Sequence, residues 1–108
     1  MNRGVLVLLS SKVRPAIVSM SLRKHLFARG HVTSDLDACN NGVSVEIQRR
    51  RHGNWKNAGS ATTNTEGHYR VDLKDKNGKY RAFVAQEDVN AGADTCLQAK
   101  SPAVKHHH

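Results

Sequence analysis

The sequence is short of most of what marks a large or catalytic protein. Aromatic residues make up 5% of its 108 positions and hydrophobic residues 38%. So little apolar surface, at this length, supports one domain around one modest core. No run approaches the roughly 18 apolar residues that a membrane-spanning helix needs. No Gly-x-Ser-x-Gly, His-Glu-x-x-His or P-loop pattern occurs. The few carboxylates fall mostly in turns, so no catalytic residues and no cofactor are assigned. Helical periodicity is missing throughout, which leaves β-structure as the fold class.

Cysteine is scarce as well, with Cys39 and Cys96 the only two. They belong to no Cys-x-x-Cys or Cys/His cluster of zinc-finger spacing. Paired, they would close a loop worth about 4 kcal/mol in denatured-state entropy; unpaired, they would be buried thiols. A disulfide would imply an oxidising, hence extracellular, compartment.

What the chain has in excess is positive charge. Seventeen Lys and Arg against nine Asp and Glu give a formal charge of +8 and a pI near 10.0. Such a balance suits a polyanionic partner or simply keeps an exported domain soluble. At the start, Asn2-Arg3-Gly4 precedes the apolar residues 5–9, the order of a signal peptide but with a short apolar run. Residues 1–16 are therefore a signal remnant, a misassigned start or an extra strand. Residues 17–101 form the domain, and 102–108 are a tail ending in histidines that resembles a purification tag.

Strand signals fill the domain. Val18, Met20 and Leu22 alternate with polar residues, and 26–33 reads as a continuation of that strand, with a bulge or bend at Gly30. After an Asp/Asn/Gly loop over 35–42, Val43, Val45 and Ile47 point inward from the next strand. His52-Gly53-Asn54 supplies a turn, and residues 55–63 return. Gly67 is placed for a positive φ. Tyr69, Val71 and Leu73 alternate inward, Asn77-Gly78 predicts a hairpin, and Tyr80, Ala82 and Val84 follow. A loop spans 87–94, and a last short strand opens at Cys96. Short strands at this spacing predict a single antiparallel β-sandwich of about seven strands, of the immunoglobulin or transthyretin-like kind.

Five segments carry a resemblance: Val43-Ser44-Val45-Glu46-Ile47-Gln48-Arg49-Arg50, Gly53-Asn54-Trp55-Lys56, Ala61-Thr62-Thr63-Asn64, Gly67-His68-Tyr69-Arg70-Val71 and Gly78-Lys79-Tyr80-Arg81-Ala82. Over residues 21–101 the chain resembles extracellular actinobacterial-type β-sandwich domains, in the style of carboxypeptidase regulatory-like, transthyretin-like and collagen-adhesin B-type repeats. The resemblance implies a secreted or surface-attached structural or adhesive module without enzymatic activity. It also implies that Cys39, ahead of the Gln-Arg strand, pairs with Cys96. No functional residues carry over, because the shared motifs are structural, and the first sixteen residues match nothing in the pattern.

The densest basic cluster is Arg49, Arg50 and Arg51 with Lys56 across the turn. A hairpin end of this charge can grip phosphates or an acidic polysaccharide, or can serve only as a solvated, aggregation-resistant tip. Trp55 either stacks on a ligand or packs across one end of the core. His25 and His31 lie too far apart for one metal, and Asp35, Asp37, Asn40, Asn41, Asp72 and Asp75 are read as turn chemistry, so no metal site is assigned. The partner expected is a protein or a polyanionic polymer, with the chain a monomer or an edge-strand dimer.

Overall fold

The computed structural model describes residues 12–23 and 26–107. The apolar segment 5–9 and His25 lie outside the described residues. Among the described residues twelve short strands follow one another: β1 (Lys12–Arg14), β2 (Ala16–Val18), β3 (Ser21–Arg23), β4 (Phe27–Ser34), β5 (Ser44–Arg51), β6 (Asn54–Thr62), β7 (His68–Asp72), β8 (Gly78–Val84), β9 (Glu87–Val89), β10 (Asp94–Cys96), β11 (Ala99–Lys100) and β12 (Val104–His106). Two single 3-10 turns, Asp37–Cys39 and Asn90–Gly92, are the only helical elements among the described residues.

Several of these strands are one strand interrupted. β2 and β3 pair with β4 in a single unbroken register, from Ala16 opposite Ser34 to Arg23 opposite Phe27. β11 and β12 also both run along β8, with Pro102 between them and a one-residue shift of register from one to the other. Pro102 has no N–H for the ladder. Beside it the Ser101 hydroxyl accepts the Ala82 N–H, and the Ser101 N–H donates to the Ala82 carbonyl, so the edge stays attached.

Two antiparallel sheets result. The larger runs β6–β5–β8 and then the β11/β12 edge; the smaller runs β2/β3–β4–β7. Val18, Ala28, Val32, Tyr69 and Val71 of the smaller sheet meet Val45, Ile47, Tyr80, Ala82 and Val84 of the larger in one buried cluster. Alternation along each strand explains the match, since every second side chain faces the same way. Of the inward positions expected from the sequence, Val43, Val45, Ile47, Tyr69, Val71, Tyr80, Ala82 and Val84 are buried, whereas Leu73 is only partly buried against the same cluster.

A third, small sheet sits outside this pair. β10 lies between β9, antiparallel to it, and β1, parallel to it. The parallel pair departs from the wholly antiparallel expectation. Its strands stand at opposite ends of the chain, so no local hairpin or crossover signal announces it. β9 and β10 are joined by residues 90–93, of which Asn90, Ala91 and Gly92 are at positive φ, where the sequence suggested only a loop. Cys39 and Cys96 form a disulfide, which ties the small sheet to the turn after β4. The Arg14 Nε donates to Asp94 Oδ1 at 2.9 Å, and Asp35 stands 3.6 Å from the same guanidinium.

Three further expectations change. Residues 27–34 do not continue the preceding strand but fold back on it, with buried Leu26 at positive φ where the chain reverses. That turn lacks the glycine or asparagine that would have marked it. Asn77-Gly78 joins no hairpin, because β7 pairs with β4 and β8 with β5; the segment crosses between the two sheets. Gly30 is neither a bulge nor a bend but stands opposite Tyr69 in continuous register. Its missing side chain leaves room for the Tyr69 hydroxyl to donate to the Ser19 carbonyl at 2.5 Å.

Candidate functional site

The β5–β6 turn is made by His52 and Gly53, both at positive φ, the backbone of a two-residue hairpin. Alternation then splits the arginine run. Arg49 and Arg51 share the inner face of the larger sheet, with Arg49 opposite both Lys56 and Tyr80. Arg50 turns to the outer face, opposite Trp55. The expected cluster is thus three of its four cations on one side.

Those three meet two more. A cavity of about 470 Å³ opens at this end of the sandwich, lined by Arg49, Arg51, Lys56, Asn57, Ala58, Asp72, Leu73, Lys74, Lys76 and Tyr80. Five lining residues are cationic and one, Asp72, is a carboxylate. Asp72 itself is 3.3 Å from the Arg70 guanidinium on the other sheet's outer face. A low-dielectric wall with cations of one sign focuses potential into the opening.

The crossing segment that supplies Lys74 and Lys76 is pinned residue by residue. The Asp75 carboxylate lies 2.7 Å from His106 Nε2 on β12. The buried Tyr80 hydroxyl donates to the Lys76 carbonyl at 2.7 Å. Arg49 donates from Nε and Nη2 to the Asn77 carbonyl, at 2.8 and 2.5 Å. That carbonyl is neutral, so the Arg49 charge still contributes to the cavity. Burial raises the Tyr80 pKa, with Arg49 pulling it down and Asp75 adding to the rise; the phenol stays neutral and keeps its proton for Lys76. Residues 102–108, read from the sequence as a tail, thus include a strand that braces the site.

Trp55 is half-buried on the outer face rather than across a core end. The Arg81 guanidinium lies 4.2 Å over its ring centroid, and Arg81 Nε donates to Gln48 Oε1 at 2.7 Å. Gln48 in turn donates to Glu46 at 3.0 Å. One ring face is therefore already stacked on a cation. His31 lies against His68, with ring centroids 5.6 Å apart, and no third ligand-type side chain joins them among the described residues. Asp37 opens a 3-10 turn, and Asn40 Nδ2 donates to the Ser34 carbonyl. Lys74 and Lys76 were missed from sequence because they sit on a different segment from the arginine run, and only the fold brings them together. No protein-family model, curated protein or solved structure matches the chain.

Proposed function

We propose that this chain is a non-catalytic, exported β-sandwich module that binds an acidic polymer at the open end of its sandwich. The observation that carries the reading is the convergence of Arg49, Arg51, Lys56, Lys74 and Lys76 on one cavity with a single carboxylate, itself paired elsewhere. Such a site reads charge density, not a particular small molecule. The one aromatic ring at the cavity, Tyr80, is 1% exposed, so bases find no stacking platform there. That favours an acidic polysaccharide over a single-stranded nucleic acid. Export is supported by the disulfide. An immunoglobulin or transthyretin-like arrangement, and kinship with extracellular repeat modules, is supported by two antiparallel sheets closing on one core.

The test is titration with a heparin decasaccharide at 50 and 200 mM salt, on the parent chain and on Arg51→Gln/Lys56→Gln/Lys74→Gln. Four contacts from the exposed cations weaken binding about a hundredfold across that salt range, by counterion release. The triple variant should bind more weakly and with a flatter salt dependence. Equal affinity and equal slope in the two proteins would refute the site and return the charge to a purely structural module.

A further inference from the structure

The outer face of the smaller sheet carries an arrangement that the cavity does not use. Its continuous register stacks three cross-strand rows on that face: Arg23, Phe27 and Asp72; Ser21, Arg29 and Arg70; Ser19, His31 and His68. Two successive rows set like beside like, arginine opposite arginine and histidine opposite histidine. Directly opposed like charges destabilise a sheet. A fold with no use for them would be expected to break at least one pair.

Only part of that repulsion is answered within the chain. Arg70 leans its guanidinium over the Phe27 ring at 3.8 Å and reaches Asp72 at 3.3 Å. No carboxylate pairs with Arg29 among the described residues. Ser19 Oγ stands 3.3 Å from His31 Nδ1 and accepts the His31 N–H at 3.1 Å. That holds the ring and leaves Nε2 for another partner. A groove of about 610 Å³ runs over the face. It is lined by the charged groups Arg23, Arg29 and Arg70 and by the imidazoles of His31 and His68; the carboxylates facing it are Asp72, held by Arg70, and Glu66 in the turn ahead of β7.

We propose that Arg29, Arg70, His31 and His68 form a binding site for a tetrahedral oxyanion, a sulfate or phosphate group, that fills as the two imidazoles gain protons. The geometry suits the chemistry. Rows two residues apart on one face lie about 7 Å from each other, so an oxyanion seated between them meets Arg29 on one side and the histidine pair on the other, and draws the Arg70 guanidinium across from Phe27 and Asp72. Charge-assisted N–H···O bonds from four cations replace their mutual repulsion. This site is separate from the cavity and does not rest on the polymer-binding reading.

The probe is inorganic sulfate, whose charge stays fixed between pH 5.5 and 7.5, with chloride at matched ionic strength as control. Backbone amide shifts on titration should be confined to β3, β4 and β7. Affinity should be about tenfold or more higher at pH 5.5 than at pH 7.5, because protonation adds hydrogen bonds to a charged group. His31→Gln/His68→Gln should abolish the pH dependence, Arg29→Gln should weaken binding at both pH values, and Arg51→Gln/Lys56→Gln/Lys74→Gln should change neither. All of the substituted residues are exposed and lie outside the core; a thermal melt checks each variant's fold. Sulfate affinity equal at the two pH values, or unaltered by His31→Gln/His68→Gln in a folded protein, overturns the proposal. The source of the group is read by a sulfated tetrasaccharide on the cavity variant at pH 5.5. Tighter binding than inorganic sulfate, still lost in His31→Gln/His68→Gln, assigns the group to a polymer; no gain over inorganic sulfate assigns it to the free ion. Both sustain the site.

Discussion

Reducing the Cys39–Cys96 bond is expected to lower the stability of the domain by about 4 kcal/mol. The two cysteines are 57 residues apart in sequence. The loop-closure relation gives roughly 14 cal/mol/K of extra denatured-state entropy for such a loop, or about 4 kcal/mol at 25 °C. For a chain of this length the unfolding entropy near 60 °C is about 230 cal/mol/K, so the midpoint should fall by roughly 18 °C. Reduction is a cleaner perturbation than Cys39→Ala. Both sulfurs belong to buried residues, 1% and 5% exposed, and truncation would add the cost of a cavity.

The assay is urea unfolding of the oxidised and the reduced protein, followed by Trp55 fluorescence and far-ultraviolet circular dichroism. The entropic reasoning requires that the sandwich and the small sheet unfold together. Residues 85–98 leave the larger sheet after β8 and rejoin it at β11, so the β9–β10 hairpin has an anchor at each end. Without the disulfide, what chiefly ties it sideways is the ladder to β1 and the Arg14–Asp94 bond. A reduced protein within about 1 kcal/mol of the oxidised one, losing amide protection only in β1, β9 and β10, would refute the reasoning. The disulfide would then be a local clasp.

Gly30→Ala should destabilise by about 1–3 kcal/mol, the range for forcing atoms into a packed site, since the added Cβ collides with the Ser19 carbonyl and meets the Tyr69 hydroxyl at 2.9 Å; a thermal melt measures it, and an unchanged midpoint would mean the strands can separate there freely. Asp94 predicts an acid limb. The amide of Asn90, then the Arg14 guanidinium, hold its carboxyl below the usual carboxylate range. A folded pKa below the unfolded one stabilises fully above the unfolded value, about 3.9, and that stabilisation is lost as pH falls through the folded value. The midpoint of the parent chain should therefore drop more steeply than that of Asp94→Asn below pH 4, and parallel curves would count against the assignment.

What the sequence made legible was the facing of side chains, and what it hid was their partners. Alternation is a local property, so the inward set from Val43 to Val84 follows from each strand alone. Register between distant strands is not local. Arg29 and Arg70, or His31 and His68, look unrelated until β4 is laid against β7. The misread Asn77-Gly78 shows the same limit: the dipeptide suits a hairpin, but Arg49 and Tyr80 hold the neighbouring carbonyls and the strands beyond go to different sheets. The split of Arg49 and Arg51 from Arg50 was readable, because it needs only the period of a strand.

The distribution of acids bears on whether the net charge of +8 is more than a solubilising coat. Of the nine carboxylates, Asp35 and Asp94 go to Arg14, Asp72 to Arg70, and Asp75 to His106. Glu46 takes Gln48, and Asp88 takes the Thr95 hydroxyl. Most of the negative charge is thus spent on holding the small sheet, the crossing segment and the larger sheet's outer face. A coat evolved for solubility alone gains from mixing signs across the surface. Here the acids brace the structure around the cations, and the cations are left concentrated at the cavity mouth and on the smaller sheet's outer face. Repulsion within those two groups costs stability, and bound anions would relieve it at both.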